Sequence, residues 1–155
     1  MTSSVLRYAL KLTAIFALFS LVSFPAKAVD PVYSPFLSNV AIQGYDPVAY
    51  FTKGAAIKGK KDFQYKWKGA KWRFSSEQNM KLFAADPEAY EPQFGGYCAY
   101  AVALGETAGS DPHQFTIYRG KLYMNYNANT RVIWGDNRDT FIEDATQNWP
   151  KLLAK

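Results

Sequence analysis

The chain has 155 residues, with 18 Lys and Arg against 13 Asp and Glu, one His and one Cys. Its hydrophobic fraction of 48 %, with 17 % aromatic, excludes a disordered chain of low hydrophobicity and high net charge. A single Cys excludes both an internal disulfide framework and a zinc site made of several thiolates, and the length suits one domain.

Arg7 and Lys11 precede an apolar run from Leu12 to Phe24, which is followed by Pro25 and the small-residue pattern Ala26-Lys27-Ala28. A basic start, an apolar core and an A-x-A ending read as a secretory signal peptide over residues 1–28. Cleavage near Ala28 then gives a soluble periplasmic or secreted protein. The apolar run is shorter than the ~20 residues that cross a bilayer, so no membrane span is expected in the mature chain. Arg7, Lys11 and Lys27 leave with the leader and no acidic residue does. The formal charge of +5 therefore falls close to neutral, and the basic balance gives no case for a nucleic-acid partner.

Val29 to Asn39 contains Pro31 and Pro35 and reads as an extended lead-in to a domain over residues 40–155, in which no internal repeat is visible. The clearest element lies between Asp62 and Phe74. Phe63, Tyr65 and Trp67 alternate with Gln64, Lys66 and Lys68; beyond the turn at Lys68-Gly69-Ala70, Trp72 and Phe74 alternate with Lys71 and Arg73. That pattern predicts an antiparallel hairpin with an aromatic inner face and a basic outer one. Ser75-Ser76-Glu77-Gln78 reads as a capping box on Ser75, opening a helix whose Met80, Phe83 and Ala84 lie across the hairpin. Asp86-Pro87 predicts a second helix start, ended by Pro92. Gly95-Gly96 leads into a short helix from Tyr97 to Leu104. A second hairpin is read in Gln114–Tyr118 and Lys121–Tyr126. A helix capped by Asn127 or Asn129 runs to Trp134 and stops at Gly135, and a last one, capped by Asp139, breaks at Pro150. The expected fold class is α+β: two antiparallel hairpins packed with several short helices.

Gly44-Tyr45-Asp46-Pro47-Val48-Ala49-Tyr50-Phe51, Gly69 to Ser76 and Phe83 to Tyr90 resemble the YHS domain, a family related to the TRASH metal-sensing domains and associated with heavy-metal handling. Gly95 to Tyr100, Gly120 to Tyr123 and Asn148-Trp149-Pro150 resemble its exported, single-domain bacterial members. The family pattern reads D-P-V-C-G-M near the start and F-C-S-x-x-C at the strand-to-helix junction. Here its Cys positions carry Ala49, Ser75 and Asn79, and its Met position carries Phe51. The resemblance thus implies the fold but not the family's thiolate ligands. Ala has no donor atom, and neutral Ser and Asn suit soft metals poorly.

Cys98 is then the most informative residue, an unpaired thiol in an exported protein. In the first turn of a helix it would be activated by unpaired amides and the helix dipole. Cys98, His113 and Met124 together form a candidate soft-metal site suited to copper, especially Cu(I). No Walker loop, G-x-G-x-x-G or G-x-S-x-G motif is present, and no catalytic residues are assigned. The expected function is a periplasmic YHS-domain binding protein, handling copper or another soft transition-metal ion through Cys98. The alternative is a thiol-redox or protein-interaction module with no metal, whose partner is a periplasmic protein met through Cys98 or through the basic hairpin face.

Overall fold

The computed structural model describes residues 28–154; the leader expected over residues 1–28 lies, up to residue 27, outside them. The elements in chain order are α1 (Pro47–Lys53), β1 (Lys60–Trp67), β2 (Ala70–Phe74), α2 (Glu77–Ala85), α3 (Pro87–Tyr90), α4 (Ala99–Ala103), β3 (Asp111–Tyr118), β4 (Lys121–Asn125), α5 (Ala128–Asp136) and α6 (Arg138–Leu153). Tight 3-10 turns occupy Ala41–Gly44 and Gln93–Gly96. β1 pairs with β2 and β3 with β4, both antiparallel, so the fold is α+β with two hairpins.

The first hairpin follows its alternation. Tyr65 pairs with Trp72 and Trp67 with Ala70, which turns the aromatic rings inward and leaves Lys66 and Lys71 exposed. α2 covers the rings through Phe83, whose centroid lies 5.1 Å from Trp72 and 5.2 Å from Phe74. Burial of each such ring contributes about 2–3 kcal/mol. The cap of α2 is Ser76, which accepts from the Asn79 amide, and not the expected Ser75. Ser75 is drawn instead to a buried acceptor, Asp46.

The sequence shows no repeat, but the fold contains one. β1 corresponds to β3, β2 to β4, α2 to α5, and the helix start at Pro87 to that at Arg138, all at one constant spacing along the chain. Irregular details recur as well. The ladder slips between Lys60 and Gln64 in one hairpin and between Asp111 and Phe115 in the other. Parallel bridges join Val40 to Lys71 and Pro92 to Leu122. The Asp46 amide donates to Ile57 O at 2.8 Å, and the Cys98 amide to Ala108 O at 3.0 Å. Each 3-10 turn carries three residues with positive φ, Ile42, Gln43 and Gly44 in one, Phe94, Gly95 and Gly96 in the other.

Two hydrophobic clusters result. One gathers Val48, Tyr50, Trp72, Phe74 and Phe83; the other gathers Phe94, Tyr123, Trp134, Ala145 and Leu152. β4 is their shared wall, since Leu122 and Met124 face the first cluster and Tyr123 the second. The lead-in is tied down by buried Val32 and by the Tyr33 amide donating to Gly95 O at 2.9 Å.

Three helix boundaries differ from expectation. α4 begins after Cys98 and spans five residues. α5, capped by a reciprocal Asn127–Thr130 box, continues through Gly135 to Asp136. α6 begins at Arg138 and passes Pro150 to end at Leu153. So near the C-terminus the proline costs one hydrogen bond, while packing of Trp149 and burial of Leu152 hold the last turn in place. Asp139 lies in the first turn of α6 rather than at its cap; its carboxylate accepts from Tyr118 Oη at 3.0 Å and pairs with Arg119 at 3.3 Å. Among the described residues no helix is long and apolar enough to cross a membrane.

Candidate functional site

Asp46 precedes α1 and is 0 % exposed. Its Oδ1 accepts from the amides of Val48 at 2.9 Å and Ala49 at 3.3 Å, capping the helix. Its Oδ2 accepts from the Ser75 amide at 2.7 Å, Ser75 Oγ at 2.6 Å and Asn79 Nδ2 at 2.7 Å. Five donors thus meet one buried carboxylate, and it ties the start of α1 to the junction between β2 and α2. The three positions where the family resemblance places thiols, Ala49, Ser75 and Asn79, all contribute to this hub. The Asp46-Pro47 pair carries a local turn or cap signal, but nothing local points to the partners of the second oxygen; the Ser75 and Asn79 spacing was the usable signal.

Cys98 stands in the second half where Asp46 stands in the first, immediately before α4. It is 1 % exposed, and its Sγ lies 3.9 Å from Asn125 Oδ1. Asn125 is itself fully buried, and its Nδ2 has no hydrogen-bond partner. The thiol makes no capping bond and sits ahead of the helix rather than in its first turn. The expected activation by a first-turn position is therefore not the arrangement found.

His113 lies on the exposed side of β3. Its Nε2 is 3.1 Å from Tyr45 Oη, with the two rings edge to face at 5.3 Å. Lys58 Nζ sits 4.3 Å from the Tyr45 ring centroid. Met124 is fully buried in the first cluster. Its backbone bridges Cys98, but strand alternation sends its side chain to the face opposite Asn125, with which the Cys98 thiol makes contact. Cys98, His113 and Met124 therefore lie in three different surroundings. Among the described residues, no group of three or more His, Cys, Asp and Glu side chains is placed to hold a metal ion.

The seam between the halves is polar at its edge. Tyr50 Oη donates to Pro112 O at 3.0 Å, and the Tyr50 ring packs at a tilt against Phe115 with centroids 4.7 Å apart. Burial pushes the Tyr50 phenol well above its ordinary range, with Tyr45, Asp111 and Asp46 adding to the effect. On the outer face of the first hairpin, Lys68 pairs with Glu91 at 2.6 Å. Lys60, Lys61, Lys66 and Lys71 are exposed, with no carboxylate in ion-pair range among the described residues.

Residues 48–93 match the family model of the YHS domain. The matched stretch runs from α1 through α3, so the second half, which repeats that architecture, lies beyond it. No curated protein and no solved structure matches the chain.

Proposed function

We propose that this chain, which carries a YHS domain, is an exported binding module that acts through its surface and holds no metal at the place where its family keeps thiolates. The observation that carries this reading is the Asp46 hub. A cation entering there would have to displace five N–H and O–H groups already directed at the carboxylate. Ala49 offers no donor atom in exchange, and Ser75 and Asn79 are poor soft-metal donors. The residues at that position do not fit a soft metal ion. They fit a hydrogen-bonded clamp that preserves the fold without one. Burial of Cys98 also speaks against thiol-redox work, because exchange requires access to the sulfur.

One observation favours a second reading. The unpartnered Nδ2 of Asn125 belongs to the amide that contacts the Cys98 thiol. A buried orphan of this kind calls for an explanation. Nδ2 is a donor and cannot ligate a cation, but with the amide turned over Oδ1 takes its place, an open acceptor near the thiol that could ligate an ion. In that reading Cys98 anchors copper or another soft transition-metal ion. A Cu(I) competition titration of the protein and of Cys98→Ala separates the two. Surface binding predicts equal, weak copper uptake by both. Tight binding lost in Cys98→Ala would overturn it in favour of the second reading. Tight binding retained in Cys98→Ala would overturn both.

A further inference from the structure

We propose that the turn at Pro35–Ser38 and the outer face of the first hairpin form a docking surface for an anionic phospholipid bilayer. The inference rests on the surface-binding reading above and names its partner.

Phe36 and Leu37 are each 93 % exposed, far more than any other large hydrophobic residue among those described. They occupy a turn closed by the Ser38 amide on Pro35 O at 2.8 Å, and Leu37 has a backbone φ of 61°. A branched side chain rarely adopts that left-handed conformation, and such strain persists where the surrounding structure imposes it, often at functional segments. The turn therefore presents two apolar side chains to solvent in a fixed backbone geometry.

The turn is joined directly to the basic hairpin. Asn39 O accepts from the Lys71 amide at 2.9 Å, and Val40 bridges Lys71 in parallel. Lys66 is the cross-strand partner of Lys71, so the two cations share the outer face. At the chain's maximum reach of about 3.5 Å per residue, the apolar tip lies within about 14 Å of Lys71. Between Lys58 and Arg73 the chain carries Lys58, Lys60, Lys61, Lys66, Lys68, Lys71 and Arg73 against the single acid Asp62.

Two protruding apolar residues beside unpaired lysines suit a soft interface better than a protein pocket. The apolar pair is convex and small, and it can enter the headgroup boundary without a matching cavity. The lysines are solvated point charges that need no defined counter-ion geometry. Anionic lipid attracts each of them by roughly 1 kcal/mol, about fivefold in affinity per charge, and the attraction is screened by salt.

The test is cosedimentation of the exported protein, recovered from the extracytoplasmic fraction with its N-terminus read by mass spectrometry. Vesicles of phosphatidylglycerol and phosphatidylethanolamine are compared with vesicles of phosphatidylcholine. The proposal expects binding to the anionic vesicles, weakened by salt, and little to the neutral ones. Phe36→Ser/Leu37→Ser and Lys66→Glu/Lys71→Glu should each weaken it at least tenfold, with unchanged thermal melting. Absence of binding to anionic vesicles overturns the proposal. Loss in the lysine variant alone overturns it too, because binding is then electrostatic adsorption in which the apolar turn takes no part. Failure here leaves the copper titration unaffected, and tight copper binding would refute the metal-free reading while leaving vesicle binding intact.

Discussion

A carboxylate taken out of water is costly unless hydrogen bonds replace its hydration, and Asp46 replaces it with five. Removing the acceptor strands donors from three segments at once. Asp46→Ala is therefore expected to lower stability by about 3–5 kcal/mol, and Ser75→Ala, which deletes one donor, by about 1–2 kcal/mol. Urea denaturation measures both; a loss below about 1 kcal/mol for Asp46→Ala would show that the hub is not structural. The Asp-Pro pair makes the capping role of Asp46 readable from sequence, because cap chemistry is local. Its second role was hidden, since Ser75 and Asn79 stand 29 and 33 residues away. The same long-range partner explains the misplaced cap. Either serine at 75–76 can start a helix, and Asp46 decides which one is free to do so.

The hairpins and the helices that cover them were legible for the same local reason. Period-two alternation around Gly69 left few alternatives, the Arg119-Gly120 turn between two strand-forming runs marked the second hairpin, and Asp86-Pro87 and Asn127 carried ordinary start signals. The duplication was not legible, because corresponding positions kept their backbone geometry while changing their chemistry: Asp46 and Cys98, Ser76 and Asn127, Phe83 and Trp134. Backbone hydrogen bonds, bridges and ladder slips repeat with almost any side chain attached, so a comparison of residue types does not find them. The correspondence has an energetic consequence. Phe83 packs on Trp72 at 5.1 Å and Trp134 on Tyr123 at 5.2 Å, each from the same place in its helix. Phe83→Ala and Trp134→Ala should each cost about 3–5 kcal/mol. Equal losses by urea denaturation support two equivalent cores; a tolerated Trp134→Ala would mean that the second half is a lightly held appendage.

At the scale of the molecule, the two halves divide what the family resemblance joined. The matched stretch supplies the first hairpin and all five donors of the hub, whose acceptor Asp46 stands just before it, and it has no thiol where the family pattern has them. The only sulfhydryl lies in the second half, enclosed beside Asn125. Charge is uneven too: Lys58 to Arg73 carries seven basic residues against one acid, whereas Arg131 to Lys155 carries four of each. Such a distribution presents one attractive face to an anionic surface. As proposed above, hydrogen bonds close to metal the position where the family pattern has thiols. Elemental analysis of protein recovered from its own compartment and desalted tests it most directly. Copper and zinc are expected well below one ion per chain. One ion per chain, retained through desalting and in Cys98→Ala but lost in Asp46→Asn, would contradict it.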